Sequence, residues 1–259
     1  MKKHTLEGGV VVIEYARAPR GEPVVIRFHG GGFVMGTVVE DAAFCHLLCL
    51  ENHVKVVSVD YELAPATKFP KVLDHSIELL DFARELSSHP VTLMGMGAGA
   101  NIALAMALKV IEQGRGGGVS GVIALSPLAM HPDAVPPVQK AQWTSLNVND
   151  ELSIDSKSVI MSWLAAYGAP PTDPLMLVLL HEKLGELNCV YTLGYVADTL
   201  YNDARFLVEA LAKAGVRVNK DFYQGYPHLA FAYPSHSLAN HREDVERNAK
   251  RAVRWMTYR

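Results

Sequence analysis

With 259 residues, 49% of them hydrophobic and 20% charged, the chain has the length of one large α/β domain, or at most two small ones, and an ordinary globular balance. A formal net charge of −3 argues against a general nucleic-acid binder, and three cysteines do not make a disulfide framework. The start, Met1-Lys2-Lys3-His4, carries no apolar run long enough to export the chain or span a membrane, so the expectation is a cytoplasmic protein.

In chain order, Val10–Tyr15 is a short β-rich run, 18–23 is a turn, and Val24–Phe28 reads as a buried strand. His29-Gly30-Gly31-Gly32-Phe33 follows. Three glycines after a strand expose backbone N–H groups that can face an anion or a developing oxyanion; a purely structural turn is the alternative. The spacing is not that of a dinucleotide loop. Val39–Asn52 has helical apolar spacing and puts Cys45 and Cys49 on one face, where buried free thiols are the plain reading. Val54–Val59 is a strand ending at Asp60-Tyr61, prolines make 63–70 irregular, and Val72–Leu86 returns to a helix.

The sharpest stretch runs from Val91 to Leu104. Apolar Val91–Met94 meets Gly95-Met96-Gly97-Ala98-Gly99, and a helical pattern continues through Ile111. That order is strand, tight turn, helix. In enzymes built this way the turn carries an exposed nucleophile as Gly-x-Ser-x-Gly. Here the middle residue is Gly97.

Val119–Leu125 is another buried strand. From about 129 to 187 prolines break the rhythm around one helix at Ser156–Tyr167, which reads as an insertion or lid over the sheet. Cys189–Leu193 resumes the sheet. Asp203–Ala214 is a helix, Val216–Phe222 the last strand, and His241–Tyr258 a final helix with Asn240 as its cap. Strands alternating with helices imply a mostly parallel sheet covered on both faces, in a single domain over 1–259. No Cys/His set has zinc spacing, so no metal is expected, and no cofactor is expected either.

These motifs together resemble the hormone-sensitive-lipase-like branch of the α/β-hydrolase fold, the carboxylesterases and lipases with a His-Gly-Gly-Gly loop. His29–Phe33 resembles that loop, Asp60-Tyr61-Glu62-Leu63-Ala64-Pro65-Ala66 resembles the family's Asp-Tyr-Arg-Leu-Ala-Pro-Glu, and Gly95–Asn101 resembles its Gly-Asp-Ser-Ala-Gly-Gly-Asn elbow. Asp173-Pro174 and Asp198–Asp203 fall at the Asp-Pro and acid segments, and His228 precedes Leu229-Ala230-Phe231 where the family has His-Gly-Phe. The resemblance implies that Gly31, Gly32 and Ala98 donate N–H groups to an oxyanion, Gly30 shapes the loop, Asp198 orients His228, and His228 is the general base. Gly97 stands at the family's serine, Met96 at its aspartate, Glu62 at a basic residue and Ala66 at an acidic one. The family's N-terminal cap has little room before Val10, which implies a more open pocket or one covered by another subunit.

A base and an oxyanion hole remain useful without a covalent step. The leading expectation is therefore non-covalent chemistry on a small carbonyl-containing metabolite: proton abstraction, cyclisation, elimination, carbon–carbon cleavage or the positioning of a water. The alternatives are a pseudoenzyme that binds a ligand, and a carboxylesterase inactivated by a serine-to-glycine change. Tyr61, Tyr195 and Phe33, with Trp143 and Trp163, are candidates for the pocket wall, with core packing as the competing role. Ser58, Ser126 and Cys189 lie outside the elbow and read as structural. A homodimer is left open.

Overall fold

The structure, a computed structural model, describes residues 1–17, 21–150, 155–232 and 235–258. Strands β1 (Lys2–Thr5), β2 (Val11–Tyr15), β3 (Val24–Phe28), β4 (Lys55–Asp60), β5 (Val91–Met96), β6 (Val119–Leu125), β7 (Cys189–Tyr195) and β8 (Arg217–Tyr223) form an eight-stranded sheet in the order β1-β2-β4-β3-β5-β6-β7-β8. β1 with β2 and β2 with β4 pair antiparallel; the rest pair parallel. The helices are α1 (Ala42–Asn52), α2 (Ser76–Leu86), α3 (Ala98–Glu112), α4 (Pro137–Lys140), α5 (Ser145–Val148), α6 (Lys157–Tyr167), α7 (Tyr201–Lys213) and α8 (Ala239–Thr257). α1 and α8 pack on one face of the sheet, α2, α3 and α7 on the other. This is the α/β-hydrolase fold that the motifs imply.

Every residue of β3, β5, β6 and β7 is buried. Strands covered on both faces read as nearly continuous apolar runs, which is why these four are plain in the sequence. Arg27 is the exception inside β3. Its guanidinium is fully buried and pairs with Asp41 at 2.8 Å. That pairing occupies Asp41, which makes no side-chain cap to α1, and the helix expected from Val39 begins only at Ala42. β1, with the sequence Lys-Lys-His-Thr, is largely exposed and carries no apolar pattern to announce it. It is held instead by its ladder to β2 and by His4 against Glu14 at 2.8 Å.

The expected helix from Val72 opens as a 3-10 turn at Lys71–Leu73 before α2 begins. Asn240 is not the cap of the last helix: α8 starts at Ala239, ahead of the expected His241, with Leu238 in the cap position. The expected turn at 18–23 lies partly outside the described residues.

The excursion between β6 and β7 carries α4, α5 and α6 and, among the described residues, no strand. Buried polar groups pin it to the start of α7. The Asp203 carboxylate accepts from the Ala129 and Met130 amides and from Trp143 Nε1, at 2.8 to 3.0 Å. Asn202 Oδ1 accepts from the Thr144 and Ser145 amides, and Asn149 Nδ2 donates to the Val196 and Asp198 carbonyls. Asn101 of α3 donates to the carbonyls of Leu128 and Met176, both at 3.0 Å. The excursion is therefore tied to the sheet's carboxyl edge, where ligands bind in such folds.

Candidate active site

β5 runs into the elbow and α3 leaves it. Three close approaches set this geometry. A Cβ on Gly95 would lie 2.0 Å from the Gly99 carbonyl oxygen, and one on Gly99 would lie 2.2 Å from the His29 carbonyl oxygen. A Cβ on Gly31, whose φ is +120°, would lie 2.0 Å from the Met35 carbonyl oxygen. No side chain fits at these positions, so glycine is a steric requirement there.

Gly97 is different. Its backbone sits at φ 55°, ψ −117°, a conformation costly for any residue with a side chain. The space, however, is open. An added Cβ would meet only His228, with Nε2 at 3.4 Å and Cε1 at 3.8 Å, which is ordinary contact. The Gly97 amide donates to the Leu125 carbonyl at 2.9 Å, and its carbonyl accepts from Leu128 and Ala100. The turn thus aims an unfilled direction at His228.

His228 follows β8 and is 8% exposed. Its Nδ1 lies 2.7 Å from Asp198 Oδ2. Asp198 sits after β7, is fully buried, and its Oδ1 accepts from the Leu200 amide at 2.8 Å. A second carboxylate, Asp155, places Oδ2 3.5 Å from the same Nδ1. The Thr199 hydroxyl contacts both acids, at 2.8 Å from Asp155 Oδ2 and 3.4 Å from Asp198 Oδ1. Burial alone would lower the His228 pKa, but the Asp198 and Asp155 charges outweigh it and push the group up to about 9. The two carboxylates thus favour the protonated form of the ring.

A small cleft of about 80 Å³ lies between these parts. Gly31, Gly32, Gly97, Ala98, Asp155 and His228 line its polar end, and Met35, Leu128, Ile160, Trp163, Leu200 and Leu229 its apolar walls. Among the described residues, the amides of Gly31, Gly32 and Ala98 donate to no other group. Gly32 has φ +60°, and a Cβ there would fall 2.2 Å from the Trp163 ring, so the indole packs directly against this glycine. Asp155, His228 and Asp198 are also the one His/Cys/Asp/Glu group among the described residues whose donor atoms lie close enough for a cation, within 4.8 Å of one another. Hydrogen-bond spacing between Nδ1 and Asp198 and the Thr199 and Leu200 donors already satisfy those atoms, and the set reads as an ion pair.

The structure brings Gly31, Gly32, Gly97, Ala98 and His228 to one cleft, with Asp198 directly behind the histidine. Gly30 is close by: a Cβ there would lie 3.3 Å from the Met96 carbonyl. The other expected pocket residues pack elsewhere. Phe33 is buried and stacks on Tyr167 at 3.9 Å, Tyr61 stacks on His29 at 4.2 Å and donates its O–H to the His29 carbonyl at 3.0 Å, and Tyr195 stands among Tyr223 and His241. Met96 lies under the elbow with its sulfur 3.7 Å from Arg27. Tyr61, Met96 and Tyr195 sit at strand ends and Phe33 closes the glycine loop, which sequence position reveals, but their side chains are turned into the core, which it does not. Trp143 serves Asp203 rather than the cleft. Trp163 does line the cleft. Asp155 was not expected: it stands two residues ahead of α6, and nothing local in the sequence ties it to the histidine. Ser126 is fully buried and outside the cleft lining, and burial pushes the Cys45 thiol up to about 12, so neither replaces a nucleophile.

Residues 25–232 match the family described as the alpha/beta hydrolase fold. A versiconal hemiacetal acetate esterase of Aspergillus parasiticus is 40% identical over 243 residues, covering 93% of this chain and 77% of its own. The versiconal hemiacetal acetate esterase of Emericella nidulans is 39% identical over 240 residues, 90% of this chain and 83% of its own. Among solved structures, an esterase of Pyrobaculum calidifontis superposes at a TM-score of 0.84 and 22% identity, covering 98% of this chain and 84% of that one, a likeness of fold. No helix among the described residues is long and apolar enough to cross a membrane.

Proposed function

This chain belongs to the α/β-hydrolase fold family in its esterase-like branch, and on that premise we propose that it acts on a small carbonyl compound, a short-acyl ester first among them, without forming an acyl-enzyme. The observation that carries this is the open direction at Gly97. Where a nucleophile's side chain would start there is room, 3.4 Å from His228 Nε2. A water in that space can take the nucleophile's place. His228 Nε2 accepts its proton as oxygen attacks the carbonyl carbon, and the Gly31, Gly32 and Ala98 amides receive the developing oxyanion. Collapse of the intermediate expels the alkoxide, which takes the proton back from Nε2. A substrate bearing its own acidic proton or hydroxyl can use the same base for elimination or cyclisation.

The size of the cleft, about 80 Å³, supports a short acyl group. So do the relatives named as acetate esterases, at 39–40% identity over nine-tenths of the chain. Because the imidazolium must lose its proton before it acts as a base, the rate rises with pH and levels off above about 9.

The test is hydrolysis of p-nitrophenyl acetate by the purified chain. Steady turnover with no burst and no acetylated protein by mass spectrometry, lost in His228→Ala, is the expected result. A burst with a stable acyl adduct would overturn the non-covalent reading. Ligand binding without turnover is a second reading, favoured by the upward shift of His228, because a protonated ring attracts a carboxylate and cannot accept a proton. A carboxylate bound tightly and recovered unchanged, with no esterase activity at any pH, would select it.

A further inference from the structure

We propose that Asp155 is a second acid partner of His228, a positioning residue that shares with Asp198 the holding and charging of one ring nitrogen. The inference rests on His228 being the working group of the site, and it adds a residue from a different part of the chain.

His228 Nδ1 carries one proton, and two carboxylate oxygens face it, Asp198 at 2.7 Å and Asp155 at 3.5 Å. The shorter contact is the hydrogen bond; the longer is a charge contact. Both acids are buried, at 0% and 2% exposure. Two buried carboxylates side by side repel unless something neutral or positive stands between them. Here the ring supplies the positive charge, and the Thr199 hydroxyl reaches both acids, donating at 2.8 Å to Asp155 Oδ2 and standing 3.4 Å from Asp198 Oδ1. The Asp155 carbonyl also lies 3.1 Å from that hydroxyl. Asp155 is thus built into the cluster by main chain and side chain alike.

Among the described residues, the charged groups that face the ring are these two. The glycine loop and the elbow present backbone and apolar side chains, and Leu200 and Leu229 close the remaining sides. The ring's affinity for a proton is accordingly set by the pair, in keeping with its strong upward shift. The pairing also gives the site a reserve. When Asp198 loses its charge, a small rotation of the imidazole lets Asp155 accept from Nδ1.

The experiment is an NMR titration of the His228 ring in the folded parent, Asp155→Asn, Asp198→Asn and the double variant. It reads the ring directly and needs no turnover, so an inactive protein would reject the proposed function and leave this test intact. Asp155→Asn should lower the midpoint by about one unit or more, Asp198→Asn by more, and the double variant should bring it to the ordinary histidine range or below. Asp155→Glu keeps the charge and should keep the midpoint within about half a unit of the parent. In activity assays the rising limb of the pH–rate curve should move to lower pH with the ring in Asp155→Asn. Asp198→Asn should retain measurable rate and lose it when Asp155→Asn is added. A midpoint in Asp155→Asn indistinguishable from the parent, or an equal fall in Asp155→Glu, would overturn the proposal and leave Asp155 a packing residue. If the asparagine variant does not fold, Asp155→Ser is titrated in its place with the same outcomes.

Discussion

The flanks of the elbow and its centre hold the same residue for opposite reasons. At Gly95 and Gly99 the neighbouring backbone stands about 2 Å from where a Cβ would be, so glycine is a condition of folding. At Gly97 nothing but the His228 ring comes within 4 Å, and glycine instead relieves a positive-φ conformation. The contrast teaches that the framework of the site is fixed by contact while its centre is fixed only by chemistry. Steric need can be read from neighbours; an unfilled space cannot be explained that way.

The largest effect should come from breaking the flank. Gly99→Ala drives a methyl into the His29 and Phe28 carbonyls, and should cost at least about 3 kcal/mol or abolish folding, measured by denaturant titration. At the centre, Gly97→Ser should fold, lose about 1–3 kcal/mol to the strained φ, and gain burst-phase hydrolysis of p-nitrophenyl acetate by about 100-fold or more. Equal damage from both substitutions would erase the distinction drawn above. A folded Gly97→Ser protein with no gain would mean that the dyad is misaligned for a nucleophile.

Stability should also track the charge behind the centre. The folded His228 pKa, about 9, lies above the ordinary 6.5. The fold therefore favours the protonated ring. That stabilisation is complete below about pH 6.5 and fades as pH climbs through about 9, by roughly 3 kcal/mol at most. His228→Ala should flatten that part of the stability curve.

Smaller effects belong to the walls. Trp163→Ala should move the preferred acyl chain from two carbons to longer ones by about 10-fold in relative kcat/KM, the scale of one or two methylenes in an apolar pocket. Tyr61→Phe removes one hydrogen bond to the His29 carbonyl and should cost about 1 kcal/mol with little change in rate, because the phenol is packed away from the cleft.

The parts legible in the sequence are those whose physics is local. β3 was bounded at Val24–Phe28 as observed, because a strand buried on both faces is a nearly continuous apolar run, broken here by Arg27 alone, and stops at turn residues. The elbow, the glycine loop and the order of acid and histidine were readable as motifs. β1 was not, since an exposed strand held by its ladder needs no apolar pattern. Nor was the orientation of Tyr61, Tyr195 and Met96: a strand end points both into the cleft and into the core, and one residue of register decides which. Asp155 escaped for a further reason. It lies 43 positions before Asp198, in a proline-broken stretch, and only tertiary structure brings it to the ring.

One helix of that stretch reaches both halves of the site. α6 lays Trp163 across Gly32, and two residues before its first turn the chain sets Asp155 against His228. The helix and the residues just ahead of it thus touch the glycine loop at one point and the histidine at another. The wall of the cleft and the second carboxylate beside its histidine are therefore set by the seating of one short stretch of chain.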